Sequence, residues 1–259
     1  LNDFIDEVWG FNLILDRYNG VTISSLPLIE DKISFENNLL LLIQDLQKEK
    51  RKLLWITFSL ENAHLIEIAS KQQFTFHNCG DNYVMMVKKL TLNPIIPTAP
   101  THTLGVGVVV INEKKEILLI KERFSNIGYK LPGGHIDLGE KIETAACREV
   151  LEETGITVEF ESVITLSSFY PHQFGKGNIY ILCKAIPKSD RINIQDTDEI
   201  LEAKWMNVDE FLGDVNTFEY VKEIIQSSYA TPGLKHKELD FLKDLDIDCE
   251  LFFPINVTN

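Results

Sequence analysis

Three glutamates, Glu149, Glu152 and Glu153, stand at i, i+3 and i+4 in a stretch whose apolar residues repeat with helical period, and this arrangement constrains the chain more than any other. On an α-helix the three share one face, an arc of about 100°. Adjacent like charges at that spacing repel and destabilise an isolated helix, whereas a cation placed among them reverses the cost. The apolar stripe of the same helix sharpens the point. With Glu149 as origin, Ile142 falls at about +20°, Ala146 at about +60° and Ala145 at about −40°. Glu149 therefore lies inside the face that should meet the core. A bare carboxylate is heavily penalised there and must be paired, protonated or metal-bound.

The flanking residues fit the last of these. Clustered carboxylates are hard oxygen donors suited to Mg²⁺ or Mn²⁺, and Mg²⁺ commonly binds a few carboxylates together with substrate phosphates. Arg148 adjoins the cluster and can hold a glutamate in a bidentate pair. Upstream, Leu131-Pro132-Gly133-Gly134 supplies a turn without Cβ obstruction, whose carbonyls can approach a metal. One acidic pair at helical spacing would read as a solvated helix face. Here Gly134, Glu140, Arg148, the three glutamates and Gly155 recur at fixed offsets, with aliphatic Val150 and Ile156 between and after them.

The rest of the chain sets the context. Its 259 residues suit one large or two ordinary domains, and 44% apolar content is enough for a buried core. A net charge of −14 disfavours a bulk nucleic-acid partner but not a small phosphorylated ligand whose charge is met by metal ions. Cys79, Cys147, Cys183 and Cys249 are scattered, with no zinc spacing, and read as reduced thiols. No apolar run is long enough to span a bilayer, so no membrane role is expected. Leu1-Asn2-Asp3-Phe4 shows neither a basic nor an apolar leader segment, and a cytoplasmic location is expected.

Pattern and breakers give an α/β (α+β) chain in two parts. Pro94, Pro97 and Pro100 mark an extended linker over 93–103. Before it, residues 1–92 form a smaller α/β domain. Strands are expected at Phe11–Asp16, Gly20–Ser25, Leu53–Phe58, Phe74–His77 and Tyr83–Lys88. One helix is capped by Ser34 and runs to about Lys50, and another opens at Ser59. His64 and His77 are read as packing or surface residues. Residues 104–230 form the second domain, with strands at Leu104–Ile111 and Glu116–Lys121 and a helix near Asp209–Leu212. The tail, 231–259, carries a breaker at Pro232-Gly233 and a helical pattern from His236 to Leu245.

The segment Gly134–Ile156 resembles the Nudix box at every position. That resemblance implies the Nudix fold, a mixed sheet between helices, and hydrolysis of a nucleoside diphosphate linked to another moiety. It implies Glu149, Glu152, Glu153 and the Gly133 carbonyl as ligands to Mg²⁺ (or Mn²⁺), with Glu140 and Gly134 supporting the site and Arg148 orienting it. A narrower likeness extends along the chain. Phe174–Cys183 and Asn82–Met86 are similar to stretches of a Nudix subfamily that has an N-terminal pre-Nudix domain. The subfamily includes the basic fibroblast growth factor antisense protein and plant ADP-ribose/NADH pyrophosphatases. This chain has Gly177-Asn178 where those have Ser-Asp. The pre-Nudix domain resembles part of an acetyltransferase fold, but it lacks a glycine-rich coenzyme A loop and no acyl transfer is expected.

These likenesses imply a small nucleotide substrate, ADP-ribose or NADH foremost, and a homodimer. The general base is Glu152 or a later-loop carboxylate, for which Glu199 is the candidate. Tyr170 and Phe174, with Phe169, are candidates to stack on a base, core packing being the alternative, and Lys176 to reach a phosphate. His172 is a loop residue or a ligand contact. Two further readings are a pyrophosphatase for nucleoside triphosphates or capped RNA, and a regulatory protein that binds a nucleotide without turnover. Intact glutamates favour catalysis.

Overall fold

The computed structural model describes residues 4–215, 217–243 and 249–254. The chain divides into two units, Leu1–Pro100 and Thr101–Asn259.

In the first unit the order is β1 (Phe4–Val8), β2 (Phe11–Leu15), β3 (Gly20–Ile23), α1 (Lys32–Lys48), β4 (Leu53–Ser59), a 3₁₀ turn (Leu60–Leu65), α2 (Ile66–Lys71), β5 (Thr75–Gly80) and β6 (Tyr83–Lys89). The strands form one sheet, β1-β2-β3-β4-β6-β5, parallel only between β3 and β4. A parallel pair needs a crossover, and α1 provides it. Leu39, Leu42 and Ile43 of α1 pack with Leu13, Val21, Ile56 and Phe58 in an apolar core. Two sequence readings need correction here. The N-cap of α1 is Asp31 rather than Ser34: Asp31 Oδ1 accepts from Ile33 N (3.0 Å) and Ser34 N (3.1 Å), because a carboxylate reaches two orphan amides at once. The helix expected from Ser59 is a 3₁₀ turn that passes into the short α2.

The proline-rich stretch does more than connect. Ile96 packs against Leu53, Trp55 and Val87 on the second face of the sheet. The Pro97 carbonyl accepts from His77 Nε2 at 2.7 Å, and the His77 ring meets Trp55 edge-on at 4.8 Å.

The second unit contains β7 (His102–Val110), β8 (Glu116–Glu122), α3 (Ile142–Thr154), β9 (Val158–Phe169), β10 (Gly177–Pro187), β11 (Ile200–Asn207), α4 (Val208–Gly213), α5 (Glu219–Ala230), β12 (Leu234–His236), α6 (Asp240–Lys243) and β13 (Phe252–Pro254). β7 begins inside the stretch read as linker. One sheet runs β13-β12-β9-β10-β7, with β10–β7 parallel and β9–β10 antiparallel; β8 pairs with β11. Residues 130–136 run between β7 and β8. Val108 N donates to Pro132 O, Val106 N to Gly134 O, and Ile120 and Lys130 exchange both bonds. The sheet is buried on both faces. Val106, Val108, Ile181 and Cys183 meet Ala145, Ala146 and Val150 of α3. Val109 and Leu182 meet Phe211, Ile224 and Ile225 of α4 and α5 on the other face. This is the mixed sheet between helices that the sequence implies, and it explains why Leu104–Ile111 reads as a continuous apolar run.

α5 was not legible as a separate helix, nor were β12 and β13 in the tail. The helical pattern expected from His236 is corrected at its start, since His236 pairs in β12; α6 covers only Asp240–Lys243, and the extension to Leu245 lies outside the described residues. Among the described residues no helix is long and apolar enough to cross a membrane, and the four cysteines are free.

Candidate active site

α3 carries the glutamate cluster. Glu153 is the deepest at 4% exposure and Glu149 follows at 9%, both on the face that holds Ala145, Ala146 and Val150. Glu152 is the outward member, with 45% of its side chain exposed. The turn 132–134 faces the two buried carboxylates. Glu153 Oε2 accepts from Gly133 N at 2.7 Å. Glu149 lies so close to Gly134 that a Cβ there would stand 2.6 Å from its Oε1. Gly133 has φ +148°, and a Cβ would collide with the Val106 carbonyl. Only glycine meets both demands at 133. The Pro132 and Gly134 carbonyls are bound into β7, as described above, which leaves the Gly133 peptide as the link between strand and carboxylates.

Arg148 orders the outer half of the site. Its Nε and Nη2 form a bidentate pair with Glu140 (2.7 and 2.8 Å), Nη1 donates to Glu149 (3.0 Å) and Glu152 (3.1 Å), and Nη2 also donates to His135 O (3.0 Å). The Arg148 hydrogen bond, above other causes, holds the Glu140 carboxyl below its usual range, and the guanidinium is held firmly charged in return. The inner half behaves oppositely. Burial pushes Glu153 up to about 8, against the Gly133 N–H and the Lys130 ammonium. Burial also raises Glu149; Arg148 opposes the rise, and the charges of Glu152 and Glu199 add to it.

Glu199 reaches the box because the end of α3 pins its loop. The Glu152 carbonyl accepts from Gln195 N and Asp196 N, both at 2.9 Å, and Thr154 O accepts from Asn193 N at 2.8 Å. Glu199 then lines an open cleft of about 660 Å³ with Glu122, Asp196 and Asp198, beside Phe124 and Ser125. On the other side of Lys130, which pairs with Glu122, lies an apolar cavity of about 290 Å³. Leu131, Tyr180, Phe218, Tyr220 and Ile224 line it. The sequence reading missed Glu122, Lys130 and the α5 aromatics. Phe218 and Tyr220 sit about 65 residues beyond the box and only the fold brings them near; Glu122 and Lys130, both upstream of the Gly133-Gly134 turn, carried no local signal.

The other candidates lie apart. Tyr170 (77% exposed), Phe174 (96%) and Lys176 project from the β9–β10 loop and line neither cavity. His172 is in the same loop, its amide bound to Lys176 O. Phe169 packs edge-on against Tyr220 at 5.8 Å, at the rim of the apolar cavity.

Among the described residues no three His, Cys, Asp or Glu side chains already converge as a metal cluster. The donor set nevertheless fits a hard divalent cation. Two carboxylates are buried against a Cβ-free turn with insufficient positive charge to balance both, a cost that such a cation removes.

The comparisons with known proteins follow this geometry. A NUDIX domain matches residues 101–224, and a Nudix hydrolase domain matches residues 11–90. Nudix hydrolase 8 of Arabidopsis thaliana is 34% identical over 203 residues, 76% of this chain and 55% of that protein. Nudix hydrolase 7 of the same plant is 34% identical over 205 residues, 76% of this chain and 72% of the relative. Nucleoside diphosphate-linked moiety X motif 6 of Xenopus laevis is 37% identical over 160 residues, 60% of this chain and 73% of that protein. The chain thus spans about half of the first relative, at 55%, and most of the other two. The two plant alignments are longer than either structural unit, and similarity sustained through both places this chain in the Nudix hydrolase family.

Proposed function

We propose that the chain hydrolyses the pyrophosphate bond of a nucleoside diphosphate linked to another moiety, with ADP-ribose and NADH the first substrates to try. The observation that carries the reading is the pair of buried carboxylates, Glu149 and Glu153, set against the Gly133-Gly134 turn. Glu149, Glu152, Glu153 and the Gly133 carbonyl would hold Mg²⁺, with Mn²⁺ as a substitute. A divalent cation bound there supplies the positive charge a pyrophosphate requires and makes water a better nucleophile near neutral pH.

This chain's own residues do the remainder. Arg148 hydrogen-bonds Glu140, Glu149 and Glu152 together, so the carboxylates are held in place when charge develops. Glu152, the outward member of the cluster, is the general base of choice; Glu199, which lines the acidic cleft, is the alternative. Lys130, between cleft and cavity, is placed to meet a phosphate oxygen. The cavity lined by Tyr180, Phe218 and Tyr220 offers an apolar, aromatic seat of the right class for a nucleobase. The Xenopus relative's description, a nucleoside diphosphate-linked moiety, supports the substrate class. The subfamily likeness extends the proposal to a cytoplasmic homodimer.

The test is a phosphate-coupled assay with Mg²⁺ over ADP-ribose, NADH, NAD, diadenosine polyphosphates and nucleoside triphosphates. AMP released from ADP-ribose or NADH and abolished by chelator is expected. A folded protein silent across the panel would overturn the proposed substrates and move weight to nucleotide binding without turnover.

A further inference from the structure

α3 cannot cap itself. The first turn of any helix leaves backbone N–H groups without intrahelical partners. The N-cap position here is Lys141, whose side chain makes no cap hydrogen bond, and an ammonium has no acceptor to offer. The acceptor comes from 108 residues further along. Glu250 Oε2 takes the Ile142 N–H at 2.6 Å, and Oε1 takes the Glu143 N–H at 3.2 Å. A carboxylate at this end also meets the positive pole of the helix. α1 and α4, by contrast, are capped by their own preceding residues, Asp31 and Asn207.

Glu250 is held where it can do this. β13, which starts two residues later, pairs with β12, and β12 joins β9. The adjoining Leu251 carbonyl accepts from Lys237 N at 2.9 Å. Phe252 packs between Phe160 (5.8 Å) and His236 (5.7 Å).

We infer that Glu250 is a positioning residue for the glutamate cluster: it fixes where α3 begins and therefore where Glu149, Glu152 and Glu153 stand relative to the Gly133-Gly134 turn. Glu149 lies seven residues from Ile142, about 10 Å along a stiff rod. At the far end of that rod the Glu149 carboxylate lies against the turn, where a Cβ on Gly134 would stand 2.6 Å from its Oε1. A helix sliding or tilting at its unpinned start would carry the carboxylates out of register with the turn. The inference rests on the proposal that these carboxylates hold a cation.

The experiment uses the full chain and compares Glu250→Ala and Glu250→Gln with wild type. Mn²⁺ alone is titrated by electron paramagnetic resonance, and amide exchange is followed at Ile142 and Glu143. Gln keeps the length and one acceptor oxygen, so it should restore part of what Ala loses. Expected for Glu250→Ala are faster exchange at both amides, Mn²⁺ affinity weakened roughly tenfold, as for other outer supports of metal ligands, and a lower kcat with little change in nucleotide KM. Glu250→Gln should fall between. Unchanged Mn²⁺ affinity in folded Glu250→Ala would overturn the inference, and so would a loss that Glu250→Gln does not lessen. If Glu250→Ala fails to fold, full Mn²⁺ affinity in a Glu250→Gln protein with lost amide protection overturns it equally. Wild-type protein that binds no Mn²⁺ would instead sink the cation reading of the site, and this inference with it.

Discussion

α1 and α3 are helices of similar size built on opposite terms. α1 takes its cap from the residue before it and buries Phe35, Leu39, Leu42, Ile43 and Leu46, all apolar. α3 takes its cap from Glu250 and buries two glutamates beside Ala145, Ala146 and Val150. Two buried polar side chains of the first unit are met by backbone groups: Asn62 accepts from Ile29 N and donates to Pro27 O, and Lys88 donates to Gln72 O, although burial pushes the Lys88 ammonium down and His77 Nδ1 is buried without a partner among the described residues. Glu149 and Glu153 are left costly. Burial invested in packing marks a scaffold, whereas burial of clustered carboxylates that Arg148, Lys130 and the Gly133 amide only partly offset is the pattern of a functional site.

The contrast can be broken at several points. Glu152→Gln should cut kcat by about 10²- to 10⁴-fold, the usual worth of a general base, while circular dichroism stays unchanged. Near-normal turnover there, with a large loss in Glu199→Gln, would move the base to the later loop. Leu39→Ala should destabilise the first unit by about 2–5 kcal/mol in denaturant melts, since Leu39 is fully buried in a packed core; a loss under about 1 kcal/mol would mean that the core is not built as described.

Glu153 offers a sign test. Its folded pKa, about 8, lies above the ordinary 4.5, so in the metal-free protein the folded state holds a proton that the unfolded state has released. Stability from this group is present below pH 4.5 and is lost as pH rises through about 8. Metal-free Glu153→Gln should therefore gain on wild type as pH rises across that window, and Mg²⁺ should remove the difference by stabilising wild type. Parallel stability curves for the two proteins would show that Glu153 is not strained.

Asp31→Ala should lower the melting temperature of the first unit slightly, a local cap lost without effect on Mg²⁺ dependence. Phe174→Ala, at a site 96% exposed, should change stability by less than about 0.5 kcal/mol. Its KM tells more: an increase would bring the β9–β10 loop into substrate binding, and no change would leave that role to the apolar cavity.

Legibility followed the range of the causes. The stripe of α3 could be read because helical period alone puts Glu149 among alanines. The strands at Leu104–Ile111 and Glu116–Lys121 declared themselves by apolar runs. Ser34 was mistaken for a cap because a serine before an apolar run is an ordinary signal, and Asp31 three residues earlier outcompetes it with a charge. β12, β13 and Glu250 left no trace, since a three-residue strand has almost no pattern and a carboxylate in a tail looks like any surface acid. The cavity around Tyr180 and Tyr220 was equally hidden: its walls come from β10 and α5, and nothing local ties one to the other.

The distance between Ile142 and Glu250 also has a meaning in time. At about 5–20 residues per second, a ribosome adds the intervening 108 residues in roughly 5–20 seconds. Over that interval α3 exists without its cap, while α1 has had Asp31 from the outset. The helix that carries the glutamate cluster is thus locked later than α1, and an interruption of synthesis before Glu250 would leave a molecule with every box residue present and its first helical turn still open.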